Sequence, residues 1–327
     1  MQGTALAKDI MVTQLVTFAP DSHVIDGMAQ LIRHNISGGP VIEPDGTYLG
    51  VFSEKCCMRV LRATADWARR FSAFRRVLAK EFMVTRLVAL RPDMDVFEAI
   101  GHLLNHHISG APVIDEAGNF LGVFSEKTSM RVLMDAAYDQ MPTTKVGAFM
   151  NTARGRIISE ETDLMTITQV FIDTPYRRLP VVREGKLLGQ ISRRDVLKAE
   201  HHLAPFVRRR EQTLREQKST STDSAPTEGW LAEAEREGLD LSVSSFMDTH
   251  AKTIDEETDL LRIAQIFLGT PYRRLPVLRD GKLVGQISRH DVLKAAHGLL
   301  EIIPQRSTEQ SLFLSAVVKR SESPVDF

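Results

Sequence analysis

The sequence is poor in cysteine: of its 327 residues only Cys56 and Cys57 are thiols, and they are adjacent. Two neighbouring thiols cannot make a secreted-type disulfide framework, and they lack the partner spacing of a zinc site, so both read as plain unpaired thiols. Surplus charge is missing too, since 41 Lys and Arg stand against 42 Asp and Glu. That balance predicts no general attraction to nucleic acid, and binding of nucleic acid through the basic connectors is the weakest of the readings the sequence leaves open. No stretch approaches the ~20 consecutive apolar residues of a membrane span. The opening "MQGTALAKDIMVTQLV" has no basic start followed by a signal-length apolar run, so the expected compartment is the cytoplasm. No P-loop, no G-x-G-x-x-G and no G-x-S-x-G elbow occurs. The histidines of "NHH" at 105–107 and "HH" at 201–202 have no cysteine or carboxylate recurring around them at metal-ligand spacing. No catalytic residue, metal or required cofactor is expected, and the chain reads as a non-enzyme.

What the sequence has is repetition. "GQISRRDVLKA" at 189–199 returns as "GQISRHDVLKA" at 285–295, and the wider pattern occurs four times. Each copy opens on a methionine: "KDIMVT", "KEFMVT", "GAFMNT" and "SSFMDT". A short β-like run follows, then an amphipathic segment such as "VIDGMAQLIRHN" with apolar residues at helical spacing. After it come a "PV" strand, a glycine turn, a strand ending in "GVFS" or "GQIS", and a second helix. The unit is β-α-β-β-α, and the fold class is α/β of the α+β kind.

The copies are of two kinds. Residues 170–199 match 266–295 at 23 of 30 positions, and 35–61 match 107–133 at 18 of 27. On that likeness, repeats about 5–62 and 78–135 form one module, 1–140. Repeats about 145–200 and 241–297 form a second module, 141–300. A unit this small cannot cover both faces of its sheet, so paired repeats are expected to face each other about a pseudo-twofold axis. The basic stretch "RATADWARRFSAFRRVLAKEF" reads as a helix spanning repeats 1 and 2. The Ser/Thr/Pro-rich 203–238 reads as a flexible insertion, and 301–327 as a C-terminal tail.

The "S-x-x-D" turn has a plain explanation. Ser192 and Ser288 would cap a helix while Asp195 and Asp291, three residues on, return the bond. The acid and serine also suit the hydroxyls of a ribose, since a vicinal diol matches a carboxylate. In the same repeats, "TPYRRLPV" supplies Arg177, Arg178, Arg273 and Arg274, whose guanidinium forks match phosphate oxygens. By register Arg177 and Arg273 rank first. In repeats 1 and 2, Cys56 and Thr128 stand where the acid would be, and "ISGGPV" and "ISGAPV" carry no arginine. Acid and arginines thus occur together or not at all, which favours a ligand over capping alone. Glu54 and Glu126 read as ordinary first-turn acids.

The methionine opening, the element order, the "PV" strand and the "G-x-x-S-x-x-D" turn together resemble the cystathionine-β-synthase (CBS) domain. Four copies resemble two Bateman modules, a layout similar to the gamma subunit of AMP-activated protein kinase. The resemblance implies a regulatory energy sensor. Its ligand would be AMP, ADP or ATP, with S-adenosylmethionine a further option, held between paired repeats by Asp195, Asp291, Ser192 and Ser288 at the ribose and by the four arginines at the phosphates. Whether an arginine serves its own repeat or the twin stays open, as does a single-chain disk against a homodimer. The protein partner is unassigned. The competing expectation is a ligand-free scaffold for dimerisation or partner assembly.

Overall fold

The computed structural model describes residues 5–71, 76–137, 143–199 and 234–301. The expected insertion up to residue 233, and the tail beyond 301, lie outside the described residues. Repeat 1 consists of α1 (Ala7–Ile10), α2 (Val24–Arg33), β1 (Gly38–Ile42), β2 (Tyr48–Ser53) and α3 (Glu54–Phe71). Repeat 2 consists of α4 (Ala79–Phe82), α5 (Val96–Asn105), β3 (Gly110–Ile114), β4 (Phe120–Ser125) and α6 (Glu126–Ala137). Repeat 3 adds α7 (Val146–Phe149), α8 (Leu164–Asp173), β5 (Arg178–Arg183), β6 (Lys186–Ser192) and α9 (Arg193–Ala199). Repeat 4 adds α10 (Val243–Phe246), β7 (Ile254–Asp255), α11 (Leu260–Gly269), β8 (Arg274–Arg279), β9 (Lys282–Ser288) and α12 (Arg289–Glu301).

Local chemistry sets these boundaries. Asp95, Asp163 and Asp259 are the N-caps of α5, α8 and α11, each accepting an orphan amide of the first turn. In repeats 3 and 4 the hairpin turns Glu184–Gly185 and Asp280–Gly281 both have positive φ, the backbone of a two-residue turn matched to strand twist. In each hairpin the first strand is buried over consecutive residues and the second alternates inward and outward, burying Val41 and Phe52, Val113 and Phe124, Val181 and Ile191, and Val277 and Ile287. The β-like run after each methionine is slighter than the sequence suggests. It is a single parallel bridge in repeats 1 to 3 (Phe18 to Val41, Leu90 to Val113, Ile158 to Val181) and two residues in repeat 4. The first part of the basic connector is no separate element but the continuation of α3 to Phe71.

The pairing of repeats departs from the expected modules 1–140 and 141–300. The methionine segment of each repeat leaves its own hairpin and docks on another's. Val12 exchanges amide hydrogen bonds with Gln286 at 2.9 and 3.0 Å, and Val51 with Asp248 at 3.0 and 2.8 Å, joining repeats 1 and 4. Val84 exchanges with Gln190 at 2.9 and 2.9 Å, and Val123 with Asn151 at 3.0 and 2.8 Å, joining repeats 2 and 3. The socket for each docked segment is a strand glycine: a Cβ at Gly50, Gly122, Gly189 or Gly285 would lie within 3.3 Å of the visiting methionine's sulfur. Only glycine admits that approach.

The helical faces make the other contacts. Met58 and Val60 of α3 share a core with Ile167, Phe171 and Val196 of repeat 3, while Met130 of α6 joins Ile263, Phe267 and Val292 of repeat 4. The four repeats therefore close in the cyclic order 1, 4, 2, 3, with like copies diagonal. Sequence likeness between copies carries no information about contact. What decides contact is that a methionine segment and a glycine socket, and one apolar helix face and another, bury each other.

Candidate ligand-binding site

The centre of this arrangement is a cluster of guanidinium groups. Arg177 and Arg194 of repeat 3 reach Glu54 of repeat 1 at 3.4 and 3.0 Å. Arg273 of repeat 4 holds Glu126 of repeat 2 with two nitrogens, at 3.1 and 2.7 Å. Both acids are buried, 5% and 3% exposed. They are counter-ions of the centre, which corrects their reading as ordinary first-turn acids. Arg178 donates to the Ser109 hydroxyl, and Arg274 to that of Ser37 at 2.6 Å. Each of these five arginines thus serves a repeat other than its own.

Burial first, and then the charge of Arg273, pull the Arg177 and Arg178 guanidinium groups below the usual arginine range, Arg177 strongly; Arg274 is lowered in the same way. Arg193 and Arg289, both 7% exposed, are lowered to about 10, chiefly by burial. Arg193 donates to the carbonyls of Phe171 and Thr174, and Arg289 to those of Phe267 and Thr270. They bind the carbonyl end of the preceding helix.

The turns follow the capping geometry. Asp195 Oδ2 accepts from the Ser192 amide at 2.8 Å and its hydroxyl at 2.6 Å, while Ser192 Oγ accepts the Asp195 amide at 3.3 Å. Asp291 and Ser288 repeat this at 2.7, 2.7 and 3.3 Å. Where the acid is missing the turn keeps its form, with Ser53 Oγ 3.3 Å from Cys56 Sγ and Ser125 Oγ 3.1 Å from Thr128 Oγ1. Arg178 lies directly across the hairpin from Ser192, and Arg274 across from Ser288. The Asp195 and Asp291 charges partly offset the lowering of those two guanidinium groups. The arginine beside each acid is therefore Arg178 or Arg274, whereas register ranks Arg177 and Arg273 first. Tyr176 carries Arg156 over its ring at 4.6 Å, and the Tyr272 hydroxyl donates to the His250 carbonyl at 3.0 Å.

A cavity of about 730 Å³ opens between repeats 2 and 3, and repeat 4 adds part of its wall. It is lined by Thr128, Tyr176 and Arg177, and by Arg273 and Arg289 from repeat 4. Sequence reasoning missed it because its walls come from three repeats. Among the described residues no group of three or more His, Cys, Asp or Glu could hold a metal ion, and no helix is long and apolar enough to cross a membrane. His106 and His107 instead make ring contacts with His102 and His290; His201 and His202 lie outside the described residues.

Segments 7–63, 79–133, 146–202 and 243–298 each match the CBS domain. The chain belongs to the CBS domain family. Four CBS repeats thus account for the methionine motifs, the hairpins and the S-x-x-D turns alike. Among CBS relatives, protein MJ1225 of Methanocaldococcus jannaschii is 24% identical over 227 residues, covering 69% of this chain and 72% of its own. The CBS domain-containing protein CBSX1, chloroplastic, of Arabidopsis thaliana is 30% identical over 147 residues, covering 36% of this chain and 62% of its own. A crystal structure of CBSX2 in complex with AMP is 28% identical, covering 37% of this chain and 94% of its own, with a TM-score of 0.34.

Proposed function

We propose that this CBS protein is a non-catalytic regulator that takes an adenine nucleotide at two pseudo-symmetric places, one at Asp195 and one at Asp291. Asp195 with Ser192, and Asp291 with Ser288, would hold the ribose hydroxyls. Arg178 and Arg274, backed by Arg177 and Arg273, would meet the phosphates. One observation carries this reading: an arginine stands directly opposite each capping serine, whose hydroxyl the acid binds, and the arrangement recurs in both acid-bearing repeats. Asp195 Oδ1 and Asp291 Oδ1 accept no hydrogen bond among the described residues, which leaves an oxygen for a sugar hydroxyl. Binding regulates only by differential affinity for two arrangements of the repeats.

A second reading, a ligand-free assembly element, is favoured by the completed capping boxes and by Glu54 and Glu126, which already pair with Arg177, Arg194 and Arg273. Melting the protein with AMP, ADP, ATP and S-adenosylmethionine separates the two. At millimolar ligand and micromolar affinity the sensor gains roughly 4 kcal/mol. The Asp195→Ala, Asp291→Ala double variant should lose that gain, while its unliganded stability falls by only about 1 kcal/mol per cap. A wild-type melt unmoved by all four ligands leaves the assembly element.

A further inference from the structure

The four methionines that open the repeats share one environment. Met11, Met83, Met150 and Met247 each lie in a segment that one repeat lends to another, and the residue after each exchanges amide hydrogen bonds with the strand it docks on. A Cβ built on the facing strand glycine would stand 2.6 Å from Met11 Sδ, 3.0 Å from Met83 Sδ, 3.1 Å from Met150 Sδ and 3.3 Å from Met247 Sδ. No further atom fits between sulfur and strand. The same Cβ would lie 3.2, 2.9, 2.8 and 2.7 Å from the carbonyl oxygens of Val12, Val84, Asn151 and Asp248, so each socket presents an acceptor beside the sulfur. The amides of those residues are already spent on the exchanged pairs. All four methionine side chains are half-buried at the margin of the core, and Met150 also lines the cavity between repeats 2 and 3. Met28, Met58 and Met130, by contrast, are at most 1% exposed.

We infer that Met11, Met83, Met150 and Met247 are reversible oxidation sites, at which hydrogen peroxide unfastens one repeat from the next. The thioether lone pair forms an S–O bond as the O–O bond of the peroxide breaks. The transferred oxygen gives up its proton, and the departing hydroxide takes one up and leaves as water; sulfur loses two electrons and peroxide gains two. The product places a polar oxygen on an atom packed against glycine and apolar side chains. Turned toward the socket, that oxygen meets a carbonyl acceptor with no donor to share; turned outward, it draws the side chain into water. Either way the segment loses its hold on the strand. The helix contacts of repeats 1 with 3 and 2 with 4 use Met58 and Met130, which are shielded, so the assembly loosens at the segments and holds at the helices. The inference does not rest on nucleotide binding.

Peptide mass spectrometry and amide hydrogen exchange of the full chain, before and after dilute hydrogen peroxide, test it. Sulfoxide is expected at the four methionines before Met28, Met58 or Met130. The amides of Val12, Val51, Val84 and Val123 should then exchange at least about tenfold faster, while those of Ile167 and Ile263 inside α8 and α11 keep their rates. The two methionine sulfoxide reductases, one for each epimer, should restore the slow exchange. Met150→Leu keeps an apolar side chain of similar size that peroxide does not oxidise, so Val123 and Asn151 should stay slow after treatment while Val84 and Gln190 quicken. Should Met150→Leu exchange fast before any peroxide, Met83→Leu poses the same question with the two pairs reversed. Sulfoxide at all four with exchange unchanged overturns the inference, as does oxidation of Met28, Met58 and Met130 at the same dose. Quickening that spreads to Ile167 and Ile263, or that persists at the pair protected by the leucine, overturns it too.

Discussion

Glu54 shows what a single side chain does at the centre. Its side chain is 7% exposed and lies between Arg177 and Arg194, whose side chains are 26% and 23% exposed. Removing it leaves two guanidinium groups facing each other with no counter-ion. Glu54→Ala should therefore cost about 3 kcal/mol, the low end for a broken buried pair because the arginines retain some water. Urea denaturation measures it, and a loss of under about 0.5 kcal/mol would mean that the pair is idle. The acid was invisible in the sequence as a functional residue because "FSEK" is what an ordinary helix start looks like. A signal was nevertheless present: the repeats without arginines carry the buried acid, and those with arginines do not. Charge complementarity between the two kinds points to contact between unlike copies. The capping serines and Asp195 and Asp291 were legible, since their bonds lie within four consecutive residues.

At the scale of elements, the docking of the methionine segments rests on small clearances. A Cβ at Gly189 would stand 2.9 Å from the Val84 carbonyl oxygen and 3.0 Å from Met83 Sδ. Gly189→Ala should push that segment off β6, lowering stability by about 1–3 kcal/mol. The amides of Val84 and Gln190 should then exchange faster. Gly101, inside α5, meets nothing within 4 Å, so Gly101→Ala should stabilise by about 0.5–1 kcal/mol. The contrast separates a socket glycine from a permissive one, and opposite signs are the expected outcome.

The N-cap of α8 gives a test of acid sensitivity at the same scale. Burial pushes the Asp163 carboxyl up, but hydrogen bonds from the Thr166 amide and hydroxyl, with the Arg76 charge, outweigh it and leave the pKa below the usual aspartate value. A carboxyl lowered by folding stabilises above its unfolded pKa and loses that contribution as pH falls through the folded one. The stability difference between wild type and Asp163→Ala should therefore be about 1 kcal/mol at neutral pH and shrink toward zero in strong acid. Urea melts of both proteins down the acid range measure the trend; a constant difference would show that the cap acts by packing alone.

For the whole molecule, repeat boundaries and fold class were legible because each repeat announces itself with a methionine, a "PV" strand and a capped helix, all local signals. The assembly of the repeats was not, because the contacts that decide it join residues far apart in the chain, as Val12 joins Gln286. Shared ancestry makes copies alike, whereas packing asks that they be complementary. The arrangement makes a prediction that the expected modules would not. A fragment of residues 76–199 contains repeats 2 and 3 with both exchanged methionine segments, Val84 on Gln190 and Asn151 on Val123. A fragment of residues 5–137 contains repeats 1 and 2, whose segments dock on repeats 4 and 3, so its sockets stand empty and its leading helical turns have nothing to bind. Both fragments expose the helix faces that meet the remaining repeats, which makes the methionine segments the difference between them. The first should unfold in one cooperative urea transition and protect the amides of Val84 and Gln190 from exchange, while the second should show a shallow transition and no protection at Val12 or Val84. Cooperative folding of 5–137 together with failure of 76–199 would restore the pairing of like repeats and remove the cyclic order on which the shared arginine centre depends.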